Sequence, residues 1–436
     1  MRRLLFWLHL VAGLFAGLVI ALLCFTGVVL AFEKQVVAFV GRDAATVAIP
    51  ADAAPLPLDE LASRARTAQP DARLTAITVR PDPAAAVTFA FGRESTLLAD
   101  PYTGELRPPG AARTRAFMHL MTDLHRTLGF HAEATRPVGK AITGAANIAF
   151  LVLAITGLYL WWPRVWSWRG LKAVATLNLR LAGKARDWNW HNALGLWSAP
   201  VLIVLTLTAL PISYRWANNL LYTLTGAVPP AQNAGPGAQP PGPEVPQPPP
   251  SARPLGFDAL LAASRAAAPG WTEITLRLGG GREAGPRPEP GANRQRRQAP
   301  GTTTSAPHMA TAPTAAATPA ASSLASTSTP STAEPPRPRS PQAVAIAVRT
   351  ADQSPRFATT TLHLDPFTGA VLRTDTFTVQ PVARRLRSWA RFLHTGEALG
   401  WPGQLVAALA SAGGLVLVWT GFALSWRRFF RRSAAA

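Results

Sequence analysis

The sequence predicts an α-helical membrane protein with four transmembrane helices and two small α+β domains outside the membrane-spanning part. Three observations carry this. Of the 436 residues, 48% are hydrophobic and only 15% charged, too apolar for an ordinary soluble enzyme. Four segments are long enough to cross a bilayer, which takes about 20 residues. Two of the intervening stretches repeat one order of pieces, a short amphipathic helix and then strands. The same composition excludes a collagen, a coiled coil and a charge-rich disordered chain. A single Cys excludes a disulfide scaffold and a thiolate metal cluster.

The spans are read at 1–32, 138–163, 191–212 and 401–426. The apolar run of the first, LHLVAGLFAGLVIALLCFTGVVLAF, outlasts the roughly 7–15 residues of a cleavable signal core, and no A-x-A site follows. It reads as an uncleaved anchor. Cys24 does not suit lipid attachment, because Leu23 stands where a small residue is expected.

Lys plus Arg number 43 against 23 acids, a formal charge of +20. The excess sits in short flanks: Arg2 and Arg3, the basic loop 164–190, and the tail 427–436. With four crossings these three fall on one side, which the positive-inside rule makes the cytoplasm. Both termini are then cytoplasmic, and 33–137 and 213–400 lie outside. Trp161, Trp162, Trp166, Trp168, Trp188 and Trp190 read as interface anchors beside membrane lipid. Topology accounts for the charge, so nucleic acid is not an expected partner.

Outside, the first α+β domain is read at 33–110: LDELASRARTAQP as a helix, then LTAITVRP, AVTFAFG and STLLADPYTGELRP as a meander. Residues 111–137 lead to the second span. A segment with a Pro-rich linker, 213–255, precedes the second domain at 256–380. That domain gives FDALLAASRAA, WTEITLRL, VAIAVRT and FATTTLHLDPFTGAVL, interrupted by a low-complexity insert at 279–340. GGGREAG in the insert lacks the strand and helix that give a nucleotide loop its mechanism. Asp100–Gly104 (DPYTG) and Asp365–Gly369 (DPFTG) read as matching turns. His363 lies between Leu362 and Leu364, so alternation turns it to solvent, and His308 falls in the insert.

The remaining histidines are the chemical signal. His9 and His191 fall at the cytoplasmic ends of the first and third spans, His191 in the first turn of its helix. His125 and His394 precede the second and fourth spans on the outer side, with His119 competing with His125. A loose repeat of histidine, small residues, apolar helix and a distal Gly links them. It shows as Leu8-His9…Thr26-Gly27, Leu124-His125…Thr156-Gly157, His191…Leu194-Gly195 and Leu393-His394…Thr420-Gly421, four variants of one unit. Two readings stand. Interfacial histidines can be merely amphipathic, with glycines that pack helices. Matched pairs on both faces instead suit two bis-histidyl haems, His9 with His191 and His125 with His394. Arg384, Arg385, Arg387 and Arg391 crowd the outer segment 381–400, with Arg126 and Arg136 on the same face. Guanidinium forks match carboxylates, so an anionic substrate or haem propionates are candidate partners, and lipid phosphate is the alternative.

The DPYTG and DPFTG turns, LHRTLG at Leu124–Gly129, LHTG at Leu393–Gly396 and GLYLWWPR at Gly157–Arg164 together resemble the PepSY-associated transmembrane family, of the iron-regulated kind that includes siderophore-iron reductases. The resemblance implies a bacterial inner-membrane protein with periplasmic PepSY-like domains and two haem b groups. It implies electron transfer outward to a ferric siderophore or other ferric chelate, releasing Fe(II). No flavin or nicotinamide motif is present, so the donor is expected to be a cytoplasmic protein or a membrane quinol. The insert departs from the family pattern. Two other classes are a non-enzymatic sensor or protease-inhibitor-like PepSY protein and a transporter accessory. Against the latter, the spans as drawn hold no internal Asp or Glu.

Overall fold

In lipid a backbone satisfies its own hydrogen bonds, so each long apolar run closes into a helix. The computed structural model describes the chain except residues 93–94, 163–166, 230–241, 247–248, 250, 279–341 and 431–436. The expected insert with GGGREAG and His308, and also Trp166, lie outside the described residues. The first run forms α1 (Arg2–Leu30), from which α2 (Glu33–Val40) and α3 (Arg42–Ala45) lead away. Next come α4 (Leu58–Ala68), β1 (Leu74–Val79), β2 (Val87–Phe91), β3 (Ser95–Ala99), the short β4 (Leu106–Arg107), α5 (Ala112–Thr127) and α6 (Arg136–Trp161). After α7 (Trp168–Ala175) the series recurs. It runs α8 (Gly183–Ser213), α9 (Arg215–Leu224), α10 (Phe257–Ala267), β5 (Trp271–Arg277), β6 (Val344–Thr350), β7 (Thr360–Leu364), β8 (Val371–Asp375), α11 (Val382–His394) and α12 (Gly400–Phe429).

Four of these helices, α1, α6, α8 and the one that includes α12, are long and apolar enough to cross a membrane. They pack as a ring in which α1 and α8 each lie between α6 and α12. The element order shows two copies of one large unit rather than four of a small one: spanning helix, helix and strands, amphipathic helix, spanning helix. Both copies run the same way, as parallel repeats do. Equivalent helices, α1 with α8 and α6 with α12, therefore stand diagonally across the ring.

Two expectations about the helices change, and two connecting segments are themselves helical. Segments 111–137 and 381–400 contain the helices α5 and α11, which bury Met118 and Met121, and Ala383 and Ala390. Their many arginines hid a narrow apolar stripe. The third spanning helix starts at Gly183, not 191, so His191 stands in its third turn. Asp187 is thus an acid inside that helix. It is fully buried, with Arg186 at 2.9 Å and Arg427 at 2.8 Å. These two guanidinium groups are what let a carboxylate stand there.

The two groups of strands do not form separate domains. They make one antiparallel sheet in the order β4-β3-β2-β1-β5-β6-β7-β8. β1 pairs β5 with Ile77 opposite Leu276 and Thr78 opposite Thr275, the two threonine hydroxyls 3.0 Å apart. Ile77, Phe89, Ile274, Leu276, Ile346 and Leu364 point to one face, where Leu61 of α4 and Leu260 and Leu261 of α10 cover them in a shared core. The two helices also cap each other. Asp258 accepts from the Leu58 and Asp59 N–H groups at 2.8 and 3.0 Å, and Asp59 accepts from those of Phe257 and Asp258 at 2.7 and 3.3 Å. Each carboxylate thus satisfies N–H groups that a helix start leaves without partners.

The matching turns form as their residues require. Asp100 Oδ1 accepts from Tyr102 N at 2.8 Å, Asp365 Oδ1 from Phe367 N at 2.8 Å, and Gly104 and Gly369 both have φ of 73°. His363 reverses its expectation. It is 2% exposed, and its Nε2 lies 2.9 Å from Asp375 Oδ2. The reason is that the Pro-rich linker is not only a tether. Glu244 bridges to Gln342 and Val245 is buried, so this stretch covers the sheet face that alternation had turned to solvent.

Candidate functional site

The four expected histidines come together as two pairs. His9 of α1 faces His191 of α8, with ring centres 6.5 Å apart and planes at 83°. His125, near the end of α5, faces His394, the last residue of α11, at 6.3 Å and 54°. Each pair takes one member from each half of the repeat. His119 is exposed on α5, and His131 lies beside Asp123 at 3.5 Å, so neither competes with His125 for its place.

Every ring is anchored through Nδ1. His9 Nδ1 is 2.9 Å from Thr156 Oγ1, His125 Nδ1 is 2.8 Å from Thr26 Oγ1, and His191 Nδ1 is 2.9 Å from Thr420 Oγ1. Each of these hydroxyls donates its own proton to a carbonyl one turn back, Val152, Leu22 and Val416 respectively, at 2.6–2.7 Å. Its oxygen is therefore left to accept, and Nδ1 must donate. His394 Nδ1 lies 2.9 Å from the Leu205 carbonyl, which can only accept. The same tautomer follows in all four rings: the proton is on Nδ1 and the lone pair on Nε2. Among the described residues no hydrogen bond engages Nε2 in any of them.

Each threonine is followed by glycine, and the glycine is where the ring rests. A Cβ on Gly157 would stand 3.2 Å from His9 Cε1, on Gly421 3.7 Å from His191 Cε1, and on Gly27 3.8 Å from His125 Cε1. The Thr-Gly pairs were visible in the sequence as repeat landmarks, but their role as histidine seats was not. The hydroxyl partners show only when α1 meets α5, α6 meets α1 and α12 meets α8.

Two imidazoles whose Nε2 atoms bind opposite sides of one metal have a predictable separation. A nitrogen–metal bond of about 2.0 Å, and roughly 1.1 Å from nitrogen to ring centre, give centres about 6.2–6.4 Å apart. The observed 6.3 and 6.5 Å agree with that geometry. Among the described residues no three of His, Cys, Asp and Glu gather to hold a metal ion. Each pair offers two nitrogens, the number of axial positions that a haem leaves to the protein. The residues present fit a bis-histidyl haem at both levels.

The two levels differ in surroundings. His125 and His394 open onto a cavity of about 1580 Å³, floored by Leu23, Cys24, Phe150 and Leu202. Arg126, Arg136 and Lys140 line one side, and Arg384, Arg387 and Arg391 the other. Arg385 is not among the lining residues; its guanidinium lies 3.4 Å from the Thr378 carbonyl. At the mouth, Lys34 pairs with Glu397 at 2.5 Å. Burial, with the neighbouring His394 as the next cause, pushes the His125 imidazole down to about 4, and burial also lowers His394. Both rings are thus neutral at ordinary pH, the form that ligates metal.

The chain belongs to the family of the PepSY-associated TM region, whose family model matches residues 6–428. That span takes in all four paired histidines, all three Thr-Gly pairs and the entire sheet. No curated protein matches the chain.

Proposed function

We propose that this membrane protein is a transmembrane electron carrier that holds two b-type haems, one between His9 and His191 and one between His125 and His394. The observation that carries the reading is the pair of ring separations, 6.5 and 6.3 Å, with every Nδ1 already bonded and every Nε2 left over. When bound, such a haem supplies one-electron ferric–ferrous chemistry with both axial positions filled by protein. The chain's own residues do the rest. The Thr hydroxyls and the Leu205 carbonyl orient the rings, and the glycines that follow the threonines seat three of them.

The inner and outer pairs are joined by α1, since His9 is on it and Thr26, the partner of His125, lies 17 residues further on. That is about 25 Å of helix at 1.5 Å per residue. With the sheet placed in the periplasm and both termini in the cytoplasm, electrons run from a cytoplasmic or quinol donor to the cavity at the outer pair. This is the orientation that the basic flanks favour, in a bacterial inner membrane. The cavity exceeds the roughly 300–1,000 Å³ that encloses one small ligand, so it offers room beside the macrocycle for an acceptor. Seven Lys and Arg side chains line it against three Glu, a balance that suits an anionic one. A ferric siderophore is the narrower form of this proposal, and an acceptor without iron fits the same cavity.

A second reading, a non-enzymatic PepSY protein that acts through its sheet, rests on the family match and needs no haem. A pyridine haemochrome assay on protein from haem-replete cells separates the two. The proposal expects about two haems per chain. Colourless protein refutes it and leaves the second reading.

A further inference from the structure

The Thr-Gly pairs leave a question that haem ligation alone does not answer, which is why the rings need a hydroxyl rather than any apolar wall. A threonine inside a spanning helix satisfies its proton on the carbonyl one turn back and has no need of a further partner. Here three of them, on three different helices, each also receive an imidazole N–H at 2.8–2.9 Å. The fourth place breaks the pattern informatively. On α8, the residues at the spacing of Thr26-Gly27 from His9 are Thr208-Ala209, counted from His191. Thr208 does make the backbone bond, to Val204 at 2.6 Å, but His394 takes the Leu205 carbonyl instead. The equivalent carbonyls, Leu23 and Leu417, also contact His125 and His191, so what sets His394 apart is that it has the carbonyl without the hydroxyl.

Resting on the dihaem reading above, we infer that Thr26, Thr156 and Thr420 are positioning residues that fix the ligand tautomer and tune the iron. By accepting from Nδ1–H, each hydroxyl makes the imidazole more basic at Nε2, which favours the ferric state and tightens haem binding. Thr156 and Thr420 act on the inner level, and Thr26 on the outer one. His394 obtains the same effect from a backbone carbonyl that no side-chain substitution can remove.

The test uses the full-length chain in detergent, with Thr→Val, Thr→Ala and Thr→Ser variants at each position. Wild-type haem content is measured first, and a haem-free wild type sinks the dihaem reading itself. With haem present, Thr156→Val and Thr420→Val should raise one midpoint potential and leave the other, and Thr26→Val should do the reverse. Haem at the affected level should pass to apomyoglobin faster, in line with an affinity loss of about 10- to 100-fold. The Ser variants, which keep the hydroxyl, should match wild type. Where Val misfolds, the Ala variant, contrasted with Ser, decides the position. Unchanged potentials and transfer rates in the Val variants would overturn the inference. So would Ser variants that shift as far as Val, because the lost methyl and not the lost hydrogen bond would then be responsible.

Discussion

Removing histidines two at a time gives the sharpest prediction, because the pairing makes some double substitutions equivalent to single ones. On the dihaem proposal His9 and His191 serve one iron and His125 and His394 another, so any single His→Ala should lower the haem content from about two per chain to about one. His9→Ala with His191→Ala should still leave one, since both act on the same level. His9→Ala with His125→Ala should leave none. Among the described residues no spare imidazole takes over: His119 is exposed, His131 sits beside Asp123, and His363 is buried against Asp375 in the sheet. Nor can one level lend to the other across about 25 Å of α1. The assay is haem per chain by pyridine haemochrome, with secondary structure by circular dichroism as the folding control. Retention of one haem by the His9–His125 double variant, with none left in the His9–His191 variant, would show that the pairing is wrong. A drop in His119→Ala with no change in His125→Ala would equally refute the placement of α5.

Three other outcomes follow from the same geometry. Gly157→Leu should displace His9, whose Cε1 would stand 3.2 Å from the new Cβ, and remove the inner haem while the outer one stays, read from the same assay. Asp59→Ala and Asp258→Ala each strip two backbone N–H groups of their cap, at a cost of about 0.5–2 kcal/mol. Thermal unfolding of the sheet should shift down by about 2–4 °C per kcal/mol in each, with haem content intact. Charge reversal at Arg387 and Arg391, which line the cavity, should slow reoxidation of reduced protein by an anionic ferric chelate, more at low salt than at high. Arg385→Glu, on a side chain directed to Thr378, should change it little in stopped flow, and an equal effect at Arg385 would argue against the cavity as the docking place.

The sequence shows pairings that depend on spacing and hides those that depend on a second element. The four spans, the two helix-and-strand series and the DPYTG and DPFTG turns are legible because each is settled within a few residues by apolar length, alternation or an Asp side chain. The histidine pairs are legible as well, because the repeat places equivalent residues in equivalent helices. The start of α8 was missed because Arg186, Asp187 and Lys184 look like a loop until Arg427 arrives from α12 to complete the ion pairs. The single sheet was missed because nothing in LTAITV or WTEITLR says that these two strands are each other's neighbour; only the register between Thr78 and Thr275 does. His363 was misplaced because alternation assigns a residue to a face without saying what covers that face. Arg385 looked like its neighbours because a charge cluster in sequence spreads around a helix in space.

Each feature that joins the two halves uses one member from each, and this bears on how the ligands are held. The β1–β5 seam, the exchange of caps between Asp59 and Asp258, and both histidine pairs are contacts between equivalent residues of the repeat. The rings, by contrast, are anchored within a half: His9 on α6, His125 on α1, His191 on α12 and His394 on α8. A half can therefore orient its own two imidazoles, but on the dihaem proposal it cannot complete an iron site. Axial ligation at either level then depends on how the halves dock, and the sheet seam is the part of that docking furthest from the inner pair. If haem is lost at both levels when the β1–β5 pairing is broken, for instance by Thr78→Pro with Thr275→Pro, docking is cooperative from the sheet to the far end of the bundle. If only the outer haem is lost, the contacts of α1 with α12 and of α6 with α8 are enough to hold the inner level on their own.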